Sequence, residues 1–437
     1  MNKSMSKNKV LYKIFLLLQI VFLTMYAYKQ SEILSPFFDE IVSITASYNF
    51  FTSGNLVVKH YYFESFSASI SSGPISAIGS IIAYFFTDNL FIIRTSNFFY
   101  NLLLFNTICY FIANTFKLNF YYLAIFSNFS LILIPWWFGS LYSLGEIPSM
   151  LLFTYSIFIY NSKRNLSLFL MSLSIIFGKI FIISIFIVTI FVLFCYSKKI
   201  NFTNIFFLLL PYMVFGLLIQ INTDTNFYQY LQKIYNLLLS HPSAGIDPII
   251  LNNIFRISEL NEWSLASFGR ALFTPLLFLI FIRKFSSDIE HHFNLNYLVF
   301  FTTITVPYLW FWILNDTKWI RYTQYYLIPL LFFLNIFLIK FGYKDRKYLI
   351  FYTLTLSFFM SSNLLFLMLF LISILFYFNV FDKFKINAYV VIVLIFILNS
   401  VNSFYEVNSN NKVNIDFKSC TVEIDSFDCF RNYEGNT

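Results

Sequence analysis

Apolar residues run through this chain in long blocks, without the period-two alternation of a half-buried strand. Blocks of about 14–22 residues recur from end to end, and a helix that crosses a bilayer needs roughly 20. They fall near 10–28, 92–115, 118–138, 147–161, 166–178, 180–196, 202–221, 269–283, 296–314, 323–340, 348–361, 363–379 and 387–404. A further block, 75–87, is the shortest and follows Gly73-Pro74. The polar breaks carry Lys3, Lys7, Lys9 and Lys13, then Lys163-Arg164, Lys198-Lys199, Arg283-Lys284, the group Lys340, Lys344, Arg346 and Lys347, and Lys383 with Lys385. Short Lys/Arg-rich loops mark the cytoplasmic side. If 75–87 crossed, Lys163-Arg164 would face outward, against that rule. Read as a helix in the outer interface, it leaves a consistent alternation. The pattern predicts an all-α polytopic membrane protein with about 13 transmembrane helices, its N-terminus inside and its C-terminus outside.

Composition agrees with that class. The chain is 58% hydrophobic and 11% charged, which excludes an ordinary soluble globular domain. The net charge of +8 belongs to the orienting loops, since inner segments hold 17 of the 29 basic residues. The 61 Phe and 31 Tyr reflect a bias that lipid-facing helices tolerate, and they carry no functional assignment. The four lysines before Ile14–Tyr26, with no small-x-small cleavage site, predict an uncleaved signal anchor. Residues 1–404 then form one membrane domain with long outer loops at 29–91 and 222–268, and 405–437 form a short polar, external tail. Cys109 and Cys195 sit in apolar runs, while Cys420 and Cys429 lie in the tail and can pair in an oxidising compartment. Nucleotide-binding glycine motifs and internal repeats are absent, and no nucleic acid partner is expected.

Acids are scarce, 21 in 437 residues, so where they fall carries information. The predicted outer face receives Asp39, Glu40, His60, Glu64, Arg94, Glu146, Lys179, Arg270, Lys318 and Arg321, several of them at block ends. Ionisable groups at a membrane edge cost free energy unless paired or used. Asp39-Glu40, just past the first block, is either a pair of hydrated loop acids or acid/base apparatus at the bilayer surface.

The order of motifs resembles a known group. Asp39-Glu40 follows the first span; then come Ser72-Gly73-Pro74-Ile75-Ser76, a short apolar helix, Asp88-Asn89 and Phe91-Ile92-Ile93-Arg94. Leu144-Gly145-Glu146-Ile147-Pro148, Phe177-Gly178-Lys179, and Arg321-Tyr322 with Pro329 follow in sequence. Over about residues 10–340 this resembles the GT-C superfamily of membrane glycosyltransferases, which contains protein O-mannosyltransferases and lipid A aminoarabinose transferases. The resemblance implies a GT-C-type fold and a polyprenyl-phosphate-linked sugar donor. It also implies a glycan, lipid or protein acceptor, and an active site on the outer face of a bacterial inner or plasma membrane.

By the same resemblance Asp39 is the base that takes the acceptor's proton, with Glu40 beside it for orientation or metal contact. Glu146 is a second carboxylate for acceptor or metal, or a helix N-terminal acid favoured by the macrodipole. Glu64, in Tyr62-Phe63-Glu64, resembles a metal-binding glutamate, and a divalent ion such as Mg or Mn would neutralise phosphate charge. Lys179 is a phosphate contact or a lysine snorkelling to the interface. Arg321 offers a bidentate fork for phosphate or anchors a span. Arg94 has the same phosphate reading beside a structural one, pairing with an outer-loop acid. Tyr322 touches the phosphate or belongs to the aromatic belt. Two rival readings are a surface-polysaccharide polymerase, which calls for a larger basic outer loop, and a lipid-linked sugar flippase or transporter, which calls for ionisable groups in mid-span.

Overall fold

The structure is a computed structural model that describes residues 2–32, 38–53, 57–60, 63–67, 75–87, 89–131, 140–178, 182–197, 201–222, 228–229, 232, 235, 265–287, 301–305, 324–342, 346–358, 370–375, 377–378 and 394. Helix dominates them. α1 (Asn2–Ser31) is followed by α2 (Phe38–Ser53), a hairpin of β1 (Val57–His60) and β2 (Phe63–Ser67), and the short α3 (Ile78–Tyr84). Then come α4 (Leu90–Phe116), α5 (Phe120–Ser130), α6 (Glu146–Ile159), α7 (Arg164–Phe177), α8 (Ile182–Ser197) and α9 (Phe202–Asn222). α10 (Leu265–Lys284), α11 (Gln324–Phe337) with a π-helical turn at Leu338–Gly342, and α12 (Arg346–Phe358) follow. The described residues are mostly helical, consistent with the all-α expectation, and a small antiparallel hairpin pairing Val57 with Ser67 and Val58 with Phe66 is added to them. Its short β-branched and aromatic runs suit a pleated strand, and they are too brief to register as a membrane-length block.

Val10–Ser31 is long and apolar enough to cross a membrane by length and composition. Its outward side is greasy: Val10, Leu11, Leu17, Leu18 and Met25 are all exposed. Its other side, through Leu16, Gln19, Leu23, Tyr26, Ala27 and Gln30, is buried, and α1 packs on α4 and α5. α9 shows the same division, with Phe202, Leu209, Val214, Leu217 and Ile221 exposed while Phe215 is buried. α6 and α7 are 14 residues each. At 1.5 Å per residue they run about 21 Å, short of the ~30 Å hydrocarbon core that the expected crossings 147–161 and 166–178 would have to span. Asn161 to Lys163 turn between them, and the Ser167 hydroxyl donates to the Ser156 carbonyl across the hairpin at 2.7 Å.

The core joins α1, α4, α5, α6, α7, α10, α11 and α12 around aromatic rings, including Phe105 against Phe332 and Phe278 against Phe333. Polar glue runs through it. Asn128 donates to the side-chain oxygens of Gln19 and Asn106, and Gln19 donates to the Ile125 carbonyl. Asn335 donates to Ser127 and accepts from the Tyr352 hydroxyl. Where water is scarce, such side-chain bonds between helices hold α1, α5 and α4 in one set and α11, α5 and α12 in another.

Candidate functional site

α4 supplies the spine of the site. Asn89 caps it, its Oδ1 accepting from the Phe91 and Ile92 amides at 2.9 and 3.4 Å. Its buried face then reads Leu90, Ile93, Arg94, Asn97, Phe98, Asn101, the three-and-four spacing of a helix side. Three polar residues stand on that face: Arg94 reaches Ser31 and Glu40, while Asn97 and Asn101 both reach the segment that begins at Ser140.

Arg94 and Glu40 are both fully buried and form a two-armed ion pair. Arg94 Nε donates to Glu40 Oε1 at 3.0 Å and Nη2 donates to Oε2 at 2.7 Å. Nη1 donates to the Ser31 carbonyl at the end of α1, 3.3 Å away, and the guanidinium lies 4.9 Å from the centre of the Tyr142 ring. One side chain thus ties the end of α1, the start of α2 and the segment before α6 to α4. Of the two readings of Arg94, structural pairing with an acid of the stretch after the first apolar block is the one observed. The phosphate-binding expectation for Arg94 gives way to it, because its fork is already filled by a carboxylate. Glu40 is likewise turned into this pair. Both of its oxygens accept from Arg94, so the orienting role is the one the bonds describe.

Asn97 Nδ2 faces three carbonyls, those of Ser140, Leu141 and Tyr142, at 3.3, 3.2 and 3.1 Å, and Asn101 Nδ2 donates to the Ser140 carbonyl at 3.0 Å. The hydroxyls of Ser80 and Ser143 bond to each other, joining α3 to the same segment. This segment leads to Gly145, whose φ of +70° only glycine adopts without strain. A Cβ there would overlap the Phe177 carbonyl oxygen and come within 2.5 Å of Ser76 Cβ. The end of Ser72–Ser76, the start of Gly145-Glu146 and the end of Phe177-Gly178 therefore meet at one point. Gly145→Ala is expected to lose folded protein outright, read as loss of the monodisperse peak in detergent, because a backbone carbonyl has nowhere to go.

Glu146 opens α6 and is fully buried. Asp39 and Glu40 lie in the first turn of α2, not in a loop, where the helix dipole favours carboxylates. The Asp39 side chain is outside the described residues. So are Lys179, Arg321 and Tyr322, as well as Cys420 and Cys429. Glu64 lies on β2 and His60 ends β1, with only their backbones described. Among the described residues no three His, Cys, Asp or Glu side chains gather as a metal site. The structure thus brings Glu40, Arg94 and the segment before Glu146 together. It adds Asn97, Asn101, Tyr142 and the Ser80–Ser143 pair, which the sequence reading passed over. Asn97 and Asn101 had a signal, since they follow Arg94 at helical spacing in an otherwise apolar stretch.

No protein-family model, curated protein or solved structure matches the chain.

Proposed function

We propose that the chain is a polytopic membrane glycosyltransferase of GT-C type, with about 13 spans, that moves a sugar from a polyprenyl-phosphate donor to a glycan, lipid or protein acceptor on the outer face. The observation that carries this reading is the meeting of segments far apart in sequence. Ser31, Glu40, Arg94 and Tyr142 meet through one guanidinium, and Ser76, Gly145 and Phe177 meet at the turn that follows Tyr142; Glu40, Ser76, Arg94, Gly145 and Phe177 all belong to the motifs that carry the resemblance. The exposed apolar sides of α1 and α9 support a lipid surround. In the described bundle the polar groups of Gln19, Asn106 and Asn128 are uncharged amides bonded to one another, which argues against the ionisable mid-span residues of a transporter.

In the proposed reaction Asp39 accepts the proton of an acceptor hydroxyl as its oxygen attacks the anomeric carbon. A new C–O bond forms with inversion, and the bond from that carbon to the phosphate oxygen breaks. The leaving group is the lipid phosphate, whose negative charge Lys179 and Arg321, with Tyr322, would hold. Glu146 remains a candidate for acceptor positioning. Burial of its side chain keeps it from acting as a simple surface charge. If a divalent ion takes part, it would steady the phosphate, and Glu64 is the residue proposed toward it. Purified protein in liposomes, given a radiolabelled polyprenyl-phosphate sugar and envelope glycan acceptors, is expected to release free polyprenyl phosphate and label the acceptor. Movement of intact labelled lipid across the bilayer, with no label transferred, would instead establish the flippase reading.

A further inference from the structure

We propose that the outer turns of α4 are the positioning element of the site. Arg94, through Glu40, sets the start of α2 and with it Asp39, while Asn97 sets residues 140–144 and with them Glu146. The inference rests on the proposed transferase reading for the use made of the two carboxylates, but its structural part stands on the bonds themselves. Arg94 and Asn97 are three residues apart, hence neighbours on one helix face. Each is buried, and each reaches across to a segment that opens a helix with an acid in its first turn.

The orientation of Asn97 follows from its surroundings. Three carbonyl oxygens face its amide, and only the NH₂ end can donate to them. Two protons serve three acceptors, so the bonds are shared, and the 3.1–3.3 Å lengths agree with that. Within residues 140–144 the Leu144 amide donates to the Tyr142 carbonyl at 2.8 Å. Buried carbonyls need donors. Here α4 supplies them from Asn97 and Asn101, while Ser80 of α3 holds Ser143 and Arg94 lies against the Tyr142 ring. Asn97 and Arg94 thus act through other residues. They are positioning residues for the two carboxylates, and neither has to touch substrate.

The test uses full-length protein in detergent and in the liposome assay. Carboxylates are footprinted with a water-soluble carbodiimide and an amine and read by mass spectrometry, with the partly exposed Glu32 as the reactive reference. Wild-type Glu40 and Glu146 should stay unlabelled. Asn97→Leu keeps the size and removes the donor. It should expose Glu146 to labelling while Glu40 stays protected, and should lower turnover by about 10²-fold with donor KM within about twofold. Asn97→Ser, smaller and unable to reach the carbonyls, gives the same test if the leucine variant does not fold. Asn128→Leu removes an equally buried amide deep in the bundle and controls for general loosening. Protected Glu146 and normal turnover in both Asn97 variants would overturn the proposal, as would equal labelling of Glu146 in the Asn128 variant. If wild-type protein transfers no sugar from any polyprenyl-phosphate donor, the transferase reading fails by itself, and the labelling pattern still decides whether α4 sets the two segments.

Discussion

Asp39→Asn is expected to lower sugar transfer by about 10²–10⁴-fold, the usual worth of positioned proton transfer. An acceptor hydroxyl is a poor nucleophile, so its proton has to leave as the new bond forms. Asparagine keeps the size and the hydrogen-bonding reach of aspartate but cannot take that proton. The fold should tolerate the change. Asp39 sits in the first turn of α2, where loss of its charge removes a favourable dipole contact of roughly 0.3–1 kcal/mol. The defect should therefore fall on kcat, with donor KM and protein yield unchanged. Lys179→Ala and Arg321→Ala should differ by raising donor KM, because a cation on the phosphate binds the ground state too. Initial rates with labelled donor in liposomes separate the two patterns. Full activity in Asp39→Asn would leave that carboxylate as an N-terminal helix charge.

Among the described residues, helices were legible where an apolar block is bounded by polar breaks that fix its ends. The block 202–221 appears as Phe202–Asn222 and the block 92–115 as Leu90–Phe116, extended to the Asn89 cap. The hairpin was hidden, since Val57–His60 and Phe63–Ser67 are too short to stand out against a background so rich in apolar residues. At the site, chemistry-bearing residues could be found but not partnered. Arg94 and Glu40 are separated by more than fifty positions, and nothing local says that one will meet the other. The choice between phosphate ligand and structural pair is made by the packing of α1, α2 and α4. Gly145 looked like one element of a loop motif. Its role became visible only when Phe177 and Ser76 closed around its left-handed backbone. Asn97 is the instructive omission: a polar residue one turn after an arginine, on the buried face of a long apolar helix, marks a place where something else must be held.

The Glu40–Arg94 pair allows stability and positioning to be separated. Arg94→Met is expected to cost about 3–5 kcal/mol, because it leaves a carboxylate stranded in a site with no exposed surface. Glu40→Leu should cost a similar amount by stranding the guanidinium. The double change to Leu and Met removes both charges. Buried pairs replaced by apolar groups are typically neutral to about 1–4 kcal/mol more stable, so the double variant should recover wild-type stability or exceed it. Denaturant or thermal unfolding in one detergent, followed through the double-mutant cycle, gives the coupling directly. A cost below about 1 kcal/mol for Arg94→Met would mean that water screens the pair as at an open surface. Transfer activity should not follow stability back. In the double variant the start of α2 rests on apolar packing, without the two-armed bond that sets Glu40 and its neighbour Asp39. A protein as stable as wild type yet slow in turnover would assign this pair to geometry. Recovery of both together would assign it to the fold alone.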